Sequence, residues 1–539
     1  MSKNNSSKWG LIKKALYIWA YQYHFIIPRK ILMGYIHKYH TESENISKFG
    51  KRFFDPNSAE DYNQWLSFQT YRVAKENFDI TFIGNDLTQQ DELHYPRKEM
   101  KLLDLSGIKS KYICITSNNC RLYEPFESYL NECTKYDITY FDNDRIDEKG
   151  NRCCPCLKPD FSYDTLRGFN YIGSTWVIRR DLLDQFNGGK WEPYRWLLEL
   201  SDQTVSFGHV SRVLYGDSEN KECRLSEVKE YLNFHSIQAA PEQIENSVCV
   251  KMNYRLAECP LVSIIIPTKD GKGILKTCLD SVFETTTYKN LDIIIADNGS
   301  TEQETISYFE EIQALHSNVH VFDCRGPFNF SLINNRAVFQ HAHGDYIVLL
   351  NNDISVITPD WIEKMLAYAQ QKHVGSVGAM LYYPDGTIQH AGVITGKGGG
   401  LGAHRYYRKP HDSIGYMHTL EIANDVSCCT AACLMVSKEK YEEVKGMNEE
   451  LAVQYNDVDF GLRLLNCGYY NVFLPDVKMI HDESKSRGID KNQSAVDRYV
   501  NEVEYAKEHY AEWIEHDPFY NDQFDKNYDY MLIAGKGSN

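Results

Sequence analysis

Four short apolar runs, LVSIIIP, LDIIIAD, VHVFDC and YIVLLN, succeed one another between Leu261 and Asn351. Each is followed by a stretch with helical spacing: GILKTCLDSVFE, a segment from about Thr301, residues 331–341 and a segment from Pro359. Runs this short and this apolar suit buried strands, and their alternation with helices implies βαβ units in a doubly wound parallel sheet. Pro359 fits a first helical turn, with Thr358 as its N-cap. In such sheets ligands bind beyond the carboxyl ends of the strands. Asp297, in ADNGS, and the tripeptide Asn351-Asn352-Asp353 fall at that edge. A turn would explain the tripeptide, since Asn and Asp favour turns. The alternative is a loop that holds a metal and a diphosphate.

At 539 residues the chain has room for two or three domains. Its net charge of −16 excludes a general nucleic-acid binder, which needs a basic footprint. The 15 cysteines form no small-domain framework and read as reduced thiols of the cytosol. CCPC, at Cys153 to Cys156, has no second pair at zinc spacing and reads as a loop. The first 41 residues differ from the rest. Lys3, Lys8, Lys13, Lys14, Arg29, Lys30 and Lys38 alternate with Trp9, Trp19, Tyr21, Tyr23 and Phe25, and the first acid is Glu42. No run there reaches the ~20 apolar residues of a spanning helix. Bases mixed with aromatics suit a helix lying in an anionic membrane interface; a helix packed on the main domain with solvated bases fits as well.

A repeat is visible further along. TWVIRRDLLDQFNG, ending at Gly188, aligns without a gap with CLMVSKEKYEEVKG, ending at Gly446. Each is an apolar strand, a charged turn and a short helix closed by Gly, which points to two similar domains in tandem. Residues 239–259, with Pro241 and Pro260 as punctuation, form the boundary. The expected organisation is a basic aromatic membrane-interface segment (1–41), a first domain (42–250), a catalytic domain (251–490) and a C-terminal helical tail (491–539).

The ordered set VSIIIPTKD, ADNGS, FNFSLINNRA, LLNND, PDGTIQHAGV, YNDVDFGLRL and IHDESKSRG, over roughly residues 260–488, resembles the inverting family 2 glycosyltransferases of the GT-A fold. It looks most like the bacterial branch that builds rhamnose-containing and other surface polysaccharides. The resemblance implies an α/β architecture of tandem GT-A-like, Rossmann-like domains. It implies a UDP- or dTDP-sugar donor, a divalent metal (Mn²⁺ or Mg²⁺) and a single in-line displacement. Asp353 would hold the metal with His481, the metal acting as a Lewis acid on the leaving diphosphate. The family's Asp-x-Asp has Asn351 at its first position here, so weaker metal affinity is expected. Pro267, Thr268, Asp270, Asp297, Asn335, Asn351 and Asn352 would line the donor. Asp457 would be the general base. Residues two apart on a helix do not share a face, so Asp459 is expected to be structural, tied to Arg463. His390, Thr430 and Asp459 are placed as acceptor-side or supporting residues.

The Gly-rich GKGGGLGAH, residues 396–404, lacks the Lys-Ser/Thr of a P-loop and does not follow the first strand, so it reads as a mobile loop. FDNDRID looks like a second metal motif, but the resemblance matches it to a segment after the metal loop. The counterpart of the metal loop itself is ITSNNCRL, which holds no acid. Asp457 falls opposite Pro193, and SRVLYGD offers no His in place of His481. The first domain is therefore expected to be a degenerate copy without transferase activity; a divergent active domain is the other reading. The acceptor is expected to be a lipid-linked glycan, with the enzyme cytoplasmic and peripheral at the inner membrane face; a homo-oligomer is compatible. A nucleotidyltransferase and a non-catalytic glycan-binding scaffold remain the competing functions.

Overall fold

The computed structural model describes residues 52–67, 69, 78–84, 97–99, 102–117, 120–147, 149–217, 225–483, 493–530 and 533–535. The basic segment 1–41 lies outside them, as do Ser484 to Gly488 of IHDESKSRG. The chain divides into two compact units. In the smaller, Arg52–Phe54 pairs antiparallel with Ile533–Gly535 beside the helix Ala59–Ser67. The larger unit holds residues 71–530. Among the described residues no helix is long and apolar enough to cross a membrane, and no cysteine forms a disulfide.

The four apolar runs become the strands Val262–Thr268, Leu291–Asp297, Val319–Asp323 and Tyr346–Leu350, all mutually parallel where they pair. Their side chains alternate between two cores. Ile264, Ile266, Ile293, Ile295 and Val348 enter one, and Ile265, Ile294, Ile347 and Leu349 the other. Coverage of both faces is why these strands read as unbroken apolar runs. The helix Trp361–Ala369 buries Trp361, Ile362, Met365 and Leu366 completely on one of these faces, each such side chain contributing about 1.5–3 kcal/mol. It starts later than Pro359. Thr358 does not cap it, because its hydroxyl donates to the carbonyl of Asp476 and accepts from the amide of Lys478.

The sheet is mixed, which corrects the expectation of a parallel one. From edge to edge it runs Val319–Asp323, Leu291–Asp297, Val262–Thr268, Tyr346–Leu350, Cys433–Ser437, Val374–Tyr382, Tyr470–His481 and Ile354–Val356. Cys433–Ser437 is antiparallel to both neighbours, Val374–Tyr382 and Tyr470–His481 are parallel, and Ile354–Val356 returns antiparallel.

A second sheet precedes it: Arg97–Glu99, Ile80–Gly84, Tyr112–Ile115, Trp176–Arg179, Ile138–Ile146, Phe207–Asp217 and Cys120–Leu122. Its neighbours run parallel, parallel, antiparallel, antiparallel, parallel and antiparallel in turn. From Leu291–Asp297 onwards the later sheet has the same sequence of directions, with its strands visited in the same chain order. Trp176–Arg179 and Cys433–Ser437, the strands of the 14-residue repeat, hold equivalent places.

The C-terminal segment is α-helical only to Glu515, in Gln493–His509 and Ala511–Glu515, with one 3-10 turn at Lys526–Tyr528; the rest of it, to Tyr530, lies against both sheets. Asp517 accepts from the amide of Thr395 at 2.7 Å and from Ser427 Oγ at 2.8 Å on the later side. Asn521 donates to both oxygens of Asp142 at 3.1 Å on the earlier side. Two of the three acids of FDNDRID are thus taken up internally, Asp142 by His209, Asn521 and the amide of Lys158, and Asp144 by Arg152 and Tyr123, while exposed Asp147 accepts from the amides of Lys149 and Asn151.

His209 is buried between Asp142, 2.9 Å from Nε2, and Asp160, 3.2 Å from Nδ1. Burial disfavours its charge, but the two carboxylates outweigh it and raise its pKa from 6.5 to about 9. Hydrogen bonds that its ring donates to Asp160 and Asp522, both at 2.8 Å, raise half-exposed His516 to about 10. A histidine whose pKa rises on folding contributes stability in full below its unfolded value and loses it as pH climbs through the folded value. The melting midpoint is therefore expected to fall between pH 6.5 and about 9, and His209→Gln should flatten that slope. An unchanged slope in the variant would show that His209 is not its source.

Candidate active site

The parallel strands end in register. Thr268 pairs with Asp297, and Asp297 with Asp323. The next strand ends at Leu350 and hands the chain to Asn351, Asn352 and Asp353. Asn352 turns inward and donates to Thr268 Oγ1 at 2.9 Å, locking the tripeptide to the first strand. Asp353 precedes Ile354–Val356, which pairs with the end of Tyr470–His481 so that Ile354 faces His481. The backbone thus sets the carboxylate and the imidazole beside each other, with His481 Nε2 3.0 Å from Asp353 Oδ1.

The proton positions follow from the neighbours. Gln389 Nε2 donates to Glu483 at 3.1 Å, which fixes its amide so that Oε1 faces His481 Nδ1 at 2.7 Å. Nδ1 therefore carries the proton, and Nε2 presents a lone pair, which accepts from Asn351 Nδ2 at 3.3 Å. Asp353 Oδ1 is buried and accepts no hydrogen bond. A lone pair on nitrogen and a bare carboxylate oxygen, 3.0 Å apart with no proton between them, form a donor set for a divalent cation. An imidazole oriented from its far nitrogen by an amide and a carboxylate is the usual support of a metal-bound histidine.

Asp457 lies in the first turn of the helix Asn456–Asn466. Its half-buried carboxylate accepts from the amide of Val458 at 2.9 Å and, weakly, from that of Ala431 at 3.4 Å. The neighbouring amide, of Thr430, donates to His390 Nε2, as does that of Gly392, both at 3.3 Å. His390 therefore bears its proton on Nδ1 and gives it to His404 Nδ1 at 2.9 Å, which leaves His404 with Nε2–H. Burial lowers the pKa of both rings, so both stay neutral. Consecutive residues of one short strand, Ile388–His390, thus serve both parts of the site: Gln389 orients His481, and His390 braces the segment beside Asp457.

The remaining candidates are distributed differently. Asp297 is bound by Ser300, whose amide and hydroxyl donate to Oδ1 at 2.9 and 2.5 Å. Asp270, in the left-handed region at φ 52°, accepts from the amides of Thr301 and Glu302 ahead of the helix Gln303–Leu315; those bonds hold its carboxyl below the usual range. Pro267 is half-buried in its strand. Asn335 is buried with its amide fully engaged: Oδ1 accepts from Tyr441 and the amide of Met447, and Nδ2 donates to the carbonyl of Met447 and to Glu449. That removes it from the donor-lining set. Asp459 accepts from Arg463 Nε at 2.8 Å.

Gln389, Glu483 and His404 were not among the sequence candidates. Gln389 and Glu483 sit inside quoted motifs, but nothing local says that a Gln reaches a His 92 residues away. The Gly-rich loop is tied down. Lys397 is buried on Asp529, the amide of Gly398 donates to Asn527, and a Cβ at Gly396 (φ 74°) would lie 2.1 Å from the carbonyl oxygen of Ile514.

A family model for glycosyl transferase family 2 matches residues 263–445, which hold the strand that ends at Asp297 and the strand that leads into Asp353. The chain is 36% identical over 409 residues to an uncharacterized protein of Sinorhizobium fredii, covering 71% of this chain and 45% of that protein. It is 32% identical over 406 residues to an O-antigen biosynthesis protein of Myxococcus xanthus, covering 71% and 31%. A 23% identity over 221 residues links it to the N-acetylglucosaminyl-diphospho-decaprenol L-rhamnosyltransferase of Mycobacterium tuberculosis, covering 38% and 70%. The chain spans less than half the length of the first two of these relatives. Among solved structures, a Pyrobaculum calidifontis mannosyltransferase in complex with GDP-mannose and Mn²⁺ superposes with a TM-score of 0.34 at 17% identity, over 47% of this chain and 65% of that one. Residues 263–445, which lie within the mixed sheet, are thus similar to the family 2 glycosyl transferases.

Proposed function

We propose that the chain transfers a sugar from a UDP- or dTDP-sugar to a hydroxyl of a growing, lipid-linked bacterial surface polysaccharide, with inversion. The observation that carries this reading is the pairing of His481 Nε2 with the unbonded Asp353 Oδ1 at the carboxyl edge of the parallel strands. A divalent cation (Mn²⁺ or Mg²⁺) held there supplies Lewis-acid stabilisation of the leaving diphosphate. Asn351 and Asn352 place amides along the same edge, and Thr268, Asp270 and Asp297 border the nucleotide. Asp457 takes the proton of the acceptor hydroxyl as its oxygen bonds to the anomeric carbon and the carbon–phosphate oxygen bond breaks. One displacement inverts that carbon, and no enzyme nucleophile is needed. Thr430 and His390 brace the acceptor side. The O-antigen and rhamnosyltransferase relatives favour surface-polysaccharide chemistry, and residues 1–41 are assigned to the inner membrane face.

The earlier sheet is proposed to be a degenerate copy. Its shared strand order supports this, and so does the loss of each chemical group. Asp217 ends the strand equivalent to Tyr470–His481 and pairs with Cys120 as His481 pairs with Ile354. The residues ahead of Cys120 are Ser117, Asn118 and Asn119, without an acid. The helix Pro193–Ser201 has no acid in its first turn, where Asn456–Asn466 has Asp457.

Calorimetric titration of the full chain with UDP and dTDP, with and without Mn²⁺, tests the reading. Metal-dependent binding that Asp353→Ala abolishes is the expected result. If the folded protein binds neither nucleotide, the tripeptide is an ordinary turn and the chain is a glycan-binding scaffold.

A further inference from the structure

Away from the strand edge, four heteroatoms from two distant segments converge. The turn that joins Ala239–Gln243 to Val250–Tyr254 presents Ser247 and Cys249. The turn at residues 416–421 presents His418 and Glu421. His418 Nδ1 lies 2.5 Å from Glu421 Oε2. Ser247 Oγ is 3.5 Å from the same nitrogen and 3.2 Å from the same oxygen. The Cys249 sulfur joins them, the three ligand atoms of Cys249, His418 and Glu421 all lying within 4.8 Å of one another. Cys249 is fully buried and in no disulfide. Met417 and His418 are consecutive non-glycine residues in the left-handed region, at φ 50° and 63°, a conformation that costs on the order of 1 kcal/mol or more at each. That backbone carries the imidazole to the hairpin turn, 171 residues away in sequence from Ser247.

We propose that Cys249, His418 and Glu421 form a binding site for a thiophilic divalent cation of the zinc class, with Ser247 or a solvent molecule in the fourth position. Tetrahedral ligation at about 2.0–2.3 Å sets ligand atoms roughly 3.3–3.8 Å apart. The observed separations bracket that range, so side-chain rotation of about an ångström closes the sphere. Binding releases the Cys249 proton and moves the His418 proton to Nε2, so affinity rises with pH. A thiolate selects zinc over magnesium or manganese, whereas the oxygen and imidazole donors of Asp353 and His481 do not. The two sites are therefore chemically separable. The cation would clip the hairpin after the earlier sheet to the 416–421 turn, whose Tyr416 already accepts from the amide of Leu157 in the earlier half at 2.7 Å. Its effect would be on stability and not on the transfer step.

Co²⁺ titration of the purified full chain is the test, because only thiolate ligation gives a near-ultraviolet sulfur-to-cobalt charge-transfer band. A band that saturates at one equivalent, survives in Asp353→Ala and is displaced by Zn²⁺ with a rise in melting midpoint is expected. Cys249→Ser should abolish it. If that buried variant fails to fold, the partly exposed His418→Ala should weaken Co²⁺ binding by more than the roughly 10–100-fold attached to an outer-shell partner. No band from folded wild-type protein would overturn the proposal and leave an ordinary His418–Glu421 ion pair beside a buried thiol. A band undiminished in both variants would equally overturn it. Neither result bears on nucleotide binding at Asp353.

Discussion

Asp457→Asn is expected to lower the rate of sugar transfer by about 10²–10⁴, the range a positioned general base contributes. Nucleotide affinity should stay within a few-fold of wild type. The carboxylate makes only two backbone contacts, at 2.9 Å to the amide of Val458 and 3.4 Å to that of Ala431. The first goes to Oδ1 and the second to Oδ2, so an amide with its oxygen in the Oδ1 place keeps the bond at the helix start and gives up only the long one, while proton affinity is lost. The loss should fall on kcat with little change in the donor KM, since the interaction is made only as the acceptor hydroxyl gives up its proton. Initial rates at saturating donor, beside the calorimetric titration of the same variant, separate the two quantities. A variant that retains more than a tenth of the wild-type rate would move the base to another group.

The parallel half of the sheet was legible because its cause is local. Strands covered on both faces must be apolar throughout, and Ile264 to Ile266 or Ile293 to Ala296 show that without any knowledge of their neighbours. The mixed half was not. Whether Cys433–Ser437 runs with or against Tyr346–Leu350 depends on a connection of more than 80 residues, and an apolar pentapeptide carries no direction. Thr358 shows a competition that local rules miss. It has the chemistry of an N-cap, but strand Tyr470–His481 reaches its hydroxyl first.

For the site, the residues that present charge at strand ends could be read, while those that orient them could not. Asp353 and His481 stand out as types; Gln389 and Glu483, which decide which nitrogen of His481 is bare, do not. Asn335 errs the other way. Its place in FNFSLINNRA suggests a ligand contact, yet its four hydrogen bonds all go to Tyr441, Met447 and Glu449. The repeat was visible as 14 aligned residues, but the match of strand order emerges only from pairings such as Cys120 with Asp217, 97 positions apart, which no local pattern encodes.

Asp459→Ala is expected to have the opposite signature from its neighbour two residues away: a loss of about 3–5 kcal/mol of stability, as for other broken buried ion pairs. Asp459 is 1% exposed. Oδ2 accepts from Arg463 Nε at 2.8 Å and lies 2.7 Å from its Nη2 in an ion pair, and Oδ1 accepts from Tyr510 at 2.5 Å and Asn448 at 3.3 Å. Tyr510 follows the helix Gln493–His509, so this one carboxylate fastens the C-terminal segment to the helix that carries Asp457. Removing it leaves a largely buried guanidinium and a buried phenol without their acceptor, which is costlier than losing an exposed pair worth at most about 1 kcal/mol. Asp459→Asn, which keeps one acceptor oxygen, should lose less. Urea midpoints and melting curves for Asp459→Ala and Asp457→Asn side by side decide the matter. A large shift in the first with none in the second is the expected pattern, and residual transfer by Asp459→Ala at low temperature should track its folded fraction. A midpoint within about 1 kcal/mol of wild type would mean that the network behaves as a surface pair, and the C-terminal segment would then need another anchor, for which the buried Asp517 beside Thr395 and Ser427 is the next to test.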